Sequence, residues 1–233
     1  MQVTTILEEL KSLGTEDRIL FSHRNFPSSM EFYGVTMPDL RLAYKALRNE
    51  LKLLSENQKL ALAQELVASK NFEGQIFVYV WLDSDKKWNK SLKEEEIISL
   101  SGCQDNWVSV DYFGSIVTGP ALREERIEIS TLGSWINHEN VWYRRLALTS
   151  AIGYMRGIKY FKISPSEFVL PICKTLVDDH HKMIYQAVSW VLRSLVKFDR
   201  NEVDYFLEAN SNKLHPRIIR EVNTKLETGL KNG

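Results

Sequence analysis

Apolar residues recur every three or four positions over most of the chain, and strict alternation of apolar and polar residues is scarce. That spacing puts the apolar side chains on one face of a helix and argues against strands. Thr36-Met37-Pro38-Asp39 reads as a helix start. It supplies a capping hydroxyl, a proline in the first turn and an acid near the positive end of the dipole. Leu40, Ala43, Tyr44 and Leu47 then share one face, and Ser55-Glu56 opens a second helix carrying Leu60, Leu62, Leu66 and Val67. Phe72 to Leu82 is a third, closed by the turn-forming Asp83-Ser84-Asp85. Further helices are expected near 92–102, 105–117, 139–156, 166–177, 181–198, 201–209 and 215–229. The breakers between these blocks are short, which favours antiparallel neighbours.

Two blocks resemble each other. Asn140-Val-Trp-Tyr-Arg-Arg-Leu-Ala-Leu overlays His181-Lys-Met-Ile-Tyr-Gln-Ala-Val-Ser at an offset of 41 residues (181 minus 140), and Phe72-Glu-Gly-Gln-Ile-Phe-Val reads as a more diverged copy. A period of ~40–47 residues with paired helices is the HEAT/armadillo spacing. The expected fold is therefore all-α: a curved α-solenoid of HEAT-like antiparallel helix pairs with a concave face. Residues 1–233 are expected to form a single domain with no internal boundary. A plain helical bundle is the alternative.

Composition narrows the class. The 233 residues are 44% hydrophobic and 26% charged, with 11 Gly, 6 Pro and 2 Cys. These values suit a chain that buries a sizeable core and exclude collagen, low-complexity disorder and a disulfide-stapled scaffold. Cys103 and Cys173 lie far apart, outside any C-x-x-C, and are expected to be reduced thiols of a cytoplasmic protein. The longest apolar run, Ile76 to Leu82, falls short of the ~18 residues of a membrane span, and the first residues lack the basic-then-apolar order of a signal peptide. The 30 basic and 30 acidic residues cancel overall. Residues 1–120 hold 13 Lys/Arg against 17 Asp/Glu, a balance of −4, so residues 121–233 hold 17 against 13, a balance of +4. That polarity suits contact of the second half with an anionic polymer.

The five histidines (23, 138, 180, 181 and 215) show no H-x-x-x-H spacing and join no cysteine pair, so no metal is expected. Glycine-rich nucleotide loops and the G-x-S-x-G elbow are absent, and no cofactor is expected. Tryptophans carry the remaining signal. On the 181–198 helix Ile184, Ala187, Val188, Val191, Leu192 and Leu195 form the packing stripe, while Trp190 falls with Gln186, Arg193 and Lys197 on the other face. On the 139–156 helix Trp142, Arg145, Thr149 and Gly153 follow one another along a stripe. Trp142 reads as a packing residue there and Arg145 as the ligand contact. In Asp105-Asn-Trp-Val-Ser-Val-Asp-Tyr-Phe-Gly, Trp107 and Asp111 stand one helical turn apart, with no basic residue three or four positions from the acid. Gly114 continues that face.

Equivalent helices of a solenoid line one surface, so Trp107, Asp111, Arg145, Trp190 and Arg193 are expected to converge on it. Indole faces attract cations and stack on bases, guanidinium groups grip phosphates, and a carboxylate remains for chemistry.

Phe32-Tyr-Gly-Val-Thr-Met-Pro-Asp-Leu-Arg, Phe72-Glu-Gly-Gln, Asn106-Trp-Val-Ser-Val-Asp, Asn140-Val-Trp-Tyr-Arg-Arg-Leu-Ala, Gln186-Ala-Val-Ser-Trp-Val-Leu-Arg and Arg217-Ile-Ile-Arg-Glu stand in order between about residues 30 and 225. In this ordered set the chain resembles the AlkD-like DNA glycosylases of the DNA alkylation repair enzyme family, which are built from HEAT-like repeats. The family often has an acid where this chain has Val108, and a base where it has Gln186. The resemblance implies a monomeric repair N-glycosylase, free of metal and cofactor, that removes positively charged N3- or N7-alkylated purines from duplex DNA in the cytoplasm. By the same resemblance Asp111 is the catalytic carboxylate, Trp107 and Trp190 flank the lesion, and Arg145 holds the DNA. Arg41, Lys182, Arg193 and Arg217 are further backbone contacts. Two other readings compete: a non-catalytic DNA- or RNA-binding paralogue, which retards DNA but releases no base, and a protein-interaction scaffold, which shows no salt-dependent DNA affinity.

Overall fold

The computed structural model describes residues 1–156 and 161–230. The described chain is helical nearly throughout: α1 (Val3–Ser12), α2 (Glu16–Asn25), α3 (Met37–Leu53), α4 (Glu56–Ala68), α5 (Phe72–Ser84), α6 (Lys86–Ser91), α7 (Glu94–Ser99), α8 (Trp107–Phe113), a π-helical turn (Gly114–Thr118), α9 (Gly119–Arg123), α10 (Ile129–Ile136), α11 (Val141–Met155), α12 (Pro165–Thr175), α13 (Lys182–Leu195), α14 (Arg200–Ala209) and α15 (Pro216–Thr228). Extended pairing among the described residues is limited to an isolated bridge between Glu31 and Asn71. No described helix is long and apolar enough to cross a membrane.

The caps follow the residues that announce them. Thr36 Oγ1 accepts from the Asp39 amide at the start of α3, and Ser55 and Gln58 form a reciprocal capping box on α4. The helix expected at 92–102 is shorter, α7 alone, and a separate short helix, α6, precedes it. Asp85 caps α6 by accepting from the Trp88 amide (3.1 Å), the chain extends at Leu92 and Lys93, and three consecutive glutamates then occupy the first turn of α7. The 105–117 helix begins at Trp107 because Asn106 caps it, its Oδ1 accepting from the Ser109 amide at 3.0 Å. It turns π-helical at Gly114. Pro120 explains this change. It has no amide hydrogen for the Ile116 carbonyl, and Asn89 Nδ2 donates to that carbonyl instead (3.4 Å).

Contacts divide the chain into two compact units, Met1–Val117 and Thr118–Gly233. In the first, α5 is central: every residue from Phe72 to Leu82 is buried, with α1, α3, α4, α6 and α8 packed around it. Each fully buried large side chain there contributes roughly 1.5–3 kcal/mol. The fully buried Glu73 carboxylate accepts from the amides of Tyr33 (2.8 Å), Gly34 (2.8 Å) and Val35 (3.2 Å), which fixes the segment leading to α3. Burial still pushes the Glu73 carboxyl above its ordinary range. Gly34 has a φ of +78°, and a Cβ there would lie 2.3 Å from the Thr15 carbonyl oxygen, so only glycine fits.

In the second unit α9, α11, α13 and α15 pack in series, while α10, α12 and α14 lie against that row. The 41-residue repeat is visible in its hydrogen bonds. His138 Nδ1 accepts from the Asn140 amide (3.0 Å) and Asn140 Oδ1 from the Trp142 amide (3.0 Å). At the equivalent positions Asp179 Oδ1 accepts from the His181 amide (3.0 Å) and His181 Nδ1 from the Met183 amide (3.2 Å). Arg144 joins the two copies through Asp179 (2.8 Å).

Candidate nucleic-acid interface

The first unit supplies Trp107, Asp111 and Arg41. Trp107 is the first residue of α8 and its indole is 40% exposed. Its Nε1 donates to the Asn25 carbonyl (3.4 Å) at the end of α2, and its ring meets Phe26 edge-on at 6.0 Å. Phe26 in turn packs on Phe32 and Phe72, so the indole is backed by an aromatic cluster and open on its far side. Asp111 lies one turn further along α8 and is half-buried. Arg41 is exposed on α3. The neighbouring Tyr112 hydroxyl is pushed up to about 12 by burial and by Asp83, with Arg41 opposing.

Asp105 positions this end of α8. Its carboxylate accepts from Ser28 Oγ (2.6 Å), the Ser29 amide (2.6 Å) and Ser29 Oγ (2.8 Å), which ties the chain after α2 to the turn before Trp107. Burial raises the Asp105 carboxyl, but these bonds and one from Asn106 outweigh it and hold the group below its ordinary range. The partners lie 76 and 77 positions away, so no local pattern in the sequence reveals them.

The second unit supplies Arg145, Trp190, Lys182, Arg193 and Arg217. Arg145 is buried, at 6% exposure, and its Nη1 donates to the Met183 carbonyl (2.6 Å) at the start of α13. The stripe it shares with Thr149 and Gly153 is a packing face at its far end. A Cβ on Gly119 would stand 2.5 Å from the Gly153 Cα, so α9 and α11 approach backbone to backbone there. Trp142 is half-buried. Trp190 lies half-exposed with Gln186, Arg193 and Lys197, on the face expected for it. Lys182 is exposed in the first turn of α13.

Trp190, Arg193, Ser194, Lys197 and Lys225 line a cavity of about 290 Å³. Beside it, Glu221 organises two arginines. It accepts from Ser189 Oγ (2.6 Å) and from Arg217 Nε (2.6 Å), and its other contact is Arg193 Nη2 at 3.5 Å. Burial raises the Glu221 carboxyl, but Ser189 and the two guanidinium groups pull it below its ordinary range. Arg193 and Arg217 are thus brought together by a carboxylate that the sequence reading did not single out. Its signal was present as the i, i+4 pair Arg217/Glu221.

A family model described as DNA alkylation repair enzyme matches residues 6–226. The chain belongs to that family. Comparison with curated proteins finds no match. The span of the family match takes in α8, the first turn of α13 and the Glu221 cluster alike, so each group of candidate residues stands on family sequence. Among the described residues of this alkylation-repair family member, no group of three or more His, Cys, Asp or Glu side chains is arranged to hold a metal ion.

Proposed function

We propose that this member of the DNA alkylation repair enzyme family is an N-glycosylase that excises N3- and N7-alkylated purines from duplex DNA. In this reading it acts as a cytoplasmic monomer, a HEAT-like α-solenoid that takes the duplex on its concave face. The observation that carries the reading is Asp111, one helical turn beyond an exposed, rigidly backed Trp107, on a segment within the family match.

The chemistry follows from the charge of the substrate. Alkylation at N3 or N7 makes the purine cationic, so it is a good leaving group without a general acid. The C1′–N bond breaks, its electron pair passes to the purine, and a neutral base departs. Positive oxocarbenium charge develops on the sugar, as in glycoside hydrolysis. An ionised Asp111 stabilises that charge and orients the water that adds to C1′, whose proton passes to solvent. Trp107 and Trp190 supply flat π faces beside the cationic lesion. Arg145, held from Met183, adds a fixed guanidinium, and Arg41, Lys182, Arg193 and Arg217 hold phosphates. Incubation with methylated duplex DNA, followed by chromatography of liberated bases, is expected to yield 3-methyladenine or 7-methylguanine. Retarded DNA with no liberated base would support a binding paralogue instead.

A further inference from the structure

In the second unit α10 and α12 both pack on α11 but make little contact with each other, and the trough between them has a volume of about 330 Å³. Its walls repeat at helical spacing. Ile129, Leu132, Gly133 and Ile136 line it from α10. Phe168, Pro171, Ile172 and Thr175 line it from α12. Both sets run i, i+3, i+4, i+7, so the trough follows two turns of helix, about 10 Å. Its apolar groups are not used up within the unit: Ile129 is 61% exposed, and Ile163, which joins the lining ahead of α12, is 47% exposed. A Cβ on Gly133 would meet nothing within 4 Å, so a second backbone can come close to α10 there. Contiguous apolar surface of this kind marks an interaction site.

Charge narrows the occupant. Glu167, in the first turn of α12, is the only charged residue among the described lining residues. Its Oε2 accepts from Ser164 Oγ (2.8 Å) and from the Ser164 amide (3.1 Å). These bonds hold the carboxyl below its ordinary range, so it is ionised at neutral pH. Both fall on Oε2, which leaves Oε1 for a cation. A small apolar molecule gains nothing from that carboxylate, and a nucleic acid is repelled by it. The neighbouring trough between α12 and α14 holds both Lys174 and Glu202 and selects neither sign of charge. Two turns of matched spacing, an open backbone position and one carboxylate suit an amphipathic helix with a basic residue beside its apolar stripe.

We propose that the α10–α12 trough docks an amphipathic helix of a partner protein, whose apolar residues at i, i+3, i+4 and i+7 fill it and whose lysine or arginine pairs with Glu167. None of the trough residues belongs to the candidate nucleic-acid interface, so the docking site stands apart from the repair chemistry.

The probe is a labelled alanine-based peptide of about fifteen residues, with leucines at those four positions and an arginine one turn beyond each end of the stripe. Its binding to the full chain is followed by fluorescence anisotropy. Saturable binding is expected, roughly tenfold or more tighter than for a peptide of the same residues in scrambled order. Gly133→Gln puts a polar side chain into the open trough and should weaken binding by about tenfold or more. Ile129→Gln, at an exposed position, should weaken it as well. Glu167→Gln keeps a side chain that can cap α12 and should weaken binding by about threefold, a difference that closes at high salt. Release of alkylated bases should be the same for wild type and Gly133→Gln. Equal affinity for the striped and scrambled peptides, or full affinity in both Gly133→Gln and Ile129→Gln, overturns the proposal and leaves the glycosylase reading standing. Self-association of the wild type in sedimentation, abolished by Gly133→Gln, assigns the trough to a second copy of the chain and also overturns it. A folded Gly133→Gln that no longer releases base places the trough in the repair reaction, with the same consequence.

Discussion

At the start of α8, Asp105 is held by two serine hydroxyls and backbone and side-chain amides. Between α13 and α15, Glu221 is held by one serine and two arginines. Both carboxyls stay below their ordinary range, yet the first is satisfied by neutral donors alone and the second by one serine hydroxyl together with two opposite charges. A cage of neutral donors responds little to salt, and it suits a place where the exposed indole of Trp107 is held in a fixed geometry. A cage of ions is screened by salt, and it suits a surface whose partner is itself a polyanion. The two regions therefore predict different responses to the same perturbations.

The largest effect is expected at Asp105. Replacement by Ala leaves the Ser28 and Ser29 donors without their acceptor and should lower stability by about 3 kcal/mol, measured by urea unfolding. That loss should be the same in low salt and in 0.5 M salt. Glu221→Gln should cost about 1 kcal/mol, because the Arg217 side of the cluster is well exposed, and the cost should shrink in 0.5 M salt. Equal salt responses of the two variants would erase the distinction between the regions. At the small end, Asn140→Ala removes a repeated cap of α11 and should cost about 1 kcal/mol, with no dependence on salt.

Acid provides a further contrast. Asp105 and Glu221 have lowered folded values, so their stabilisation is present above the ordinary carboxylate range and is lost as pH falls through those lowered values. Glu73 has a raised value, so its contribution is present below the ordinary range and is lost as pH rises through the raised value. Together the three groups place a maximum near the ordinary carboxylate pKa of about 4. Urea midpoints across that range should decline on both sides of it. Glu73→Gln should remove the decline on the alkaline side only.

The helices that were legible carry their own start signals: Thr36 for α3, Ser55 for α4, and the Asn140 and His181 copies for α11 and α13. Trp190 was legible because α13 has a clean apolar stripe from which it departs. α11 offers no such contrast. Every residue from Arg145 to Met155 is buried, and no charged residue follows Arg145 inside the helix, so its stripes could not be told apart by pattern. The short helices α1, α2, α6, α9 and α10 lie outside the expected ones, and in α2 the reason is physical. Ser22 is its only buried residue, while Leu20 and Phe21 are exposed, so the apolar pattern has no core to report. The Asp105 cage, the Asn89 contact with the Ile116 carbonyl and the Ser189 and Arg193 contacts of Glu221 depend on partners distant in sequence, and they emerge only from the fold.

The claim that most depends on chemistry is that Asp111 stabilises the sugar cation. Release of 3-methyladenine or 7-methylguanine from methylated duplex DNA by wild type and Asp111→Asn, at equal occupancy of the DNA, tests it directly. A fall of ~10²–10³ in rate with binding retained is the predicted result. Equal release by the two proteins would contradict it.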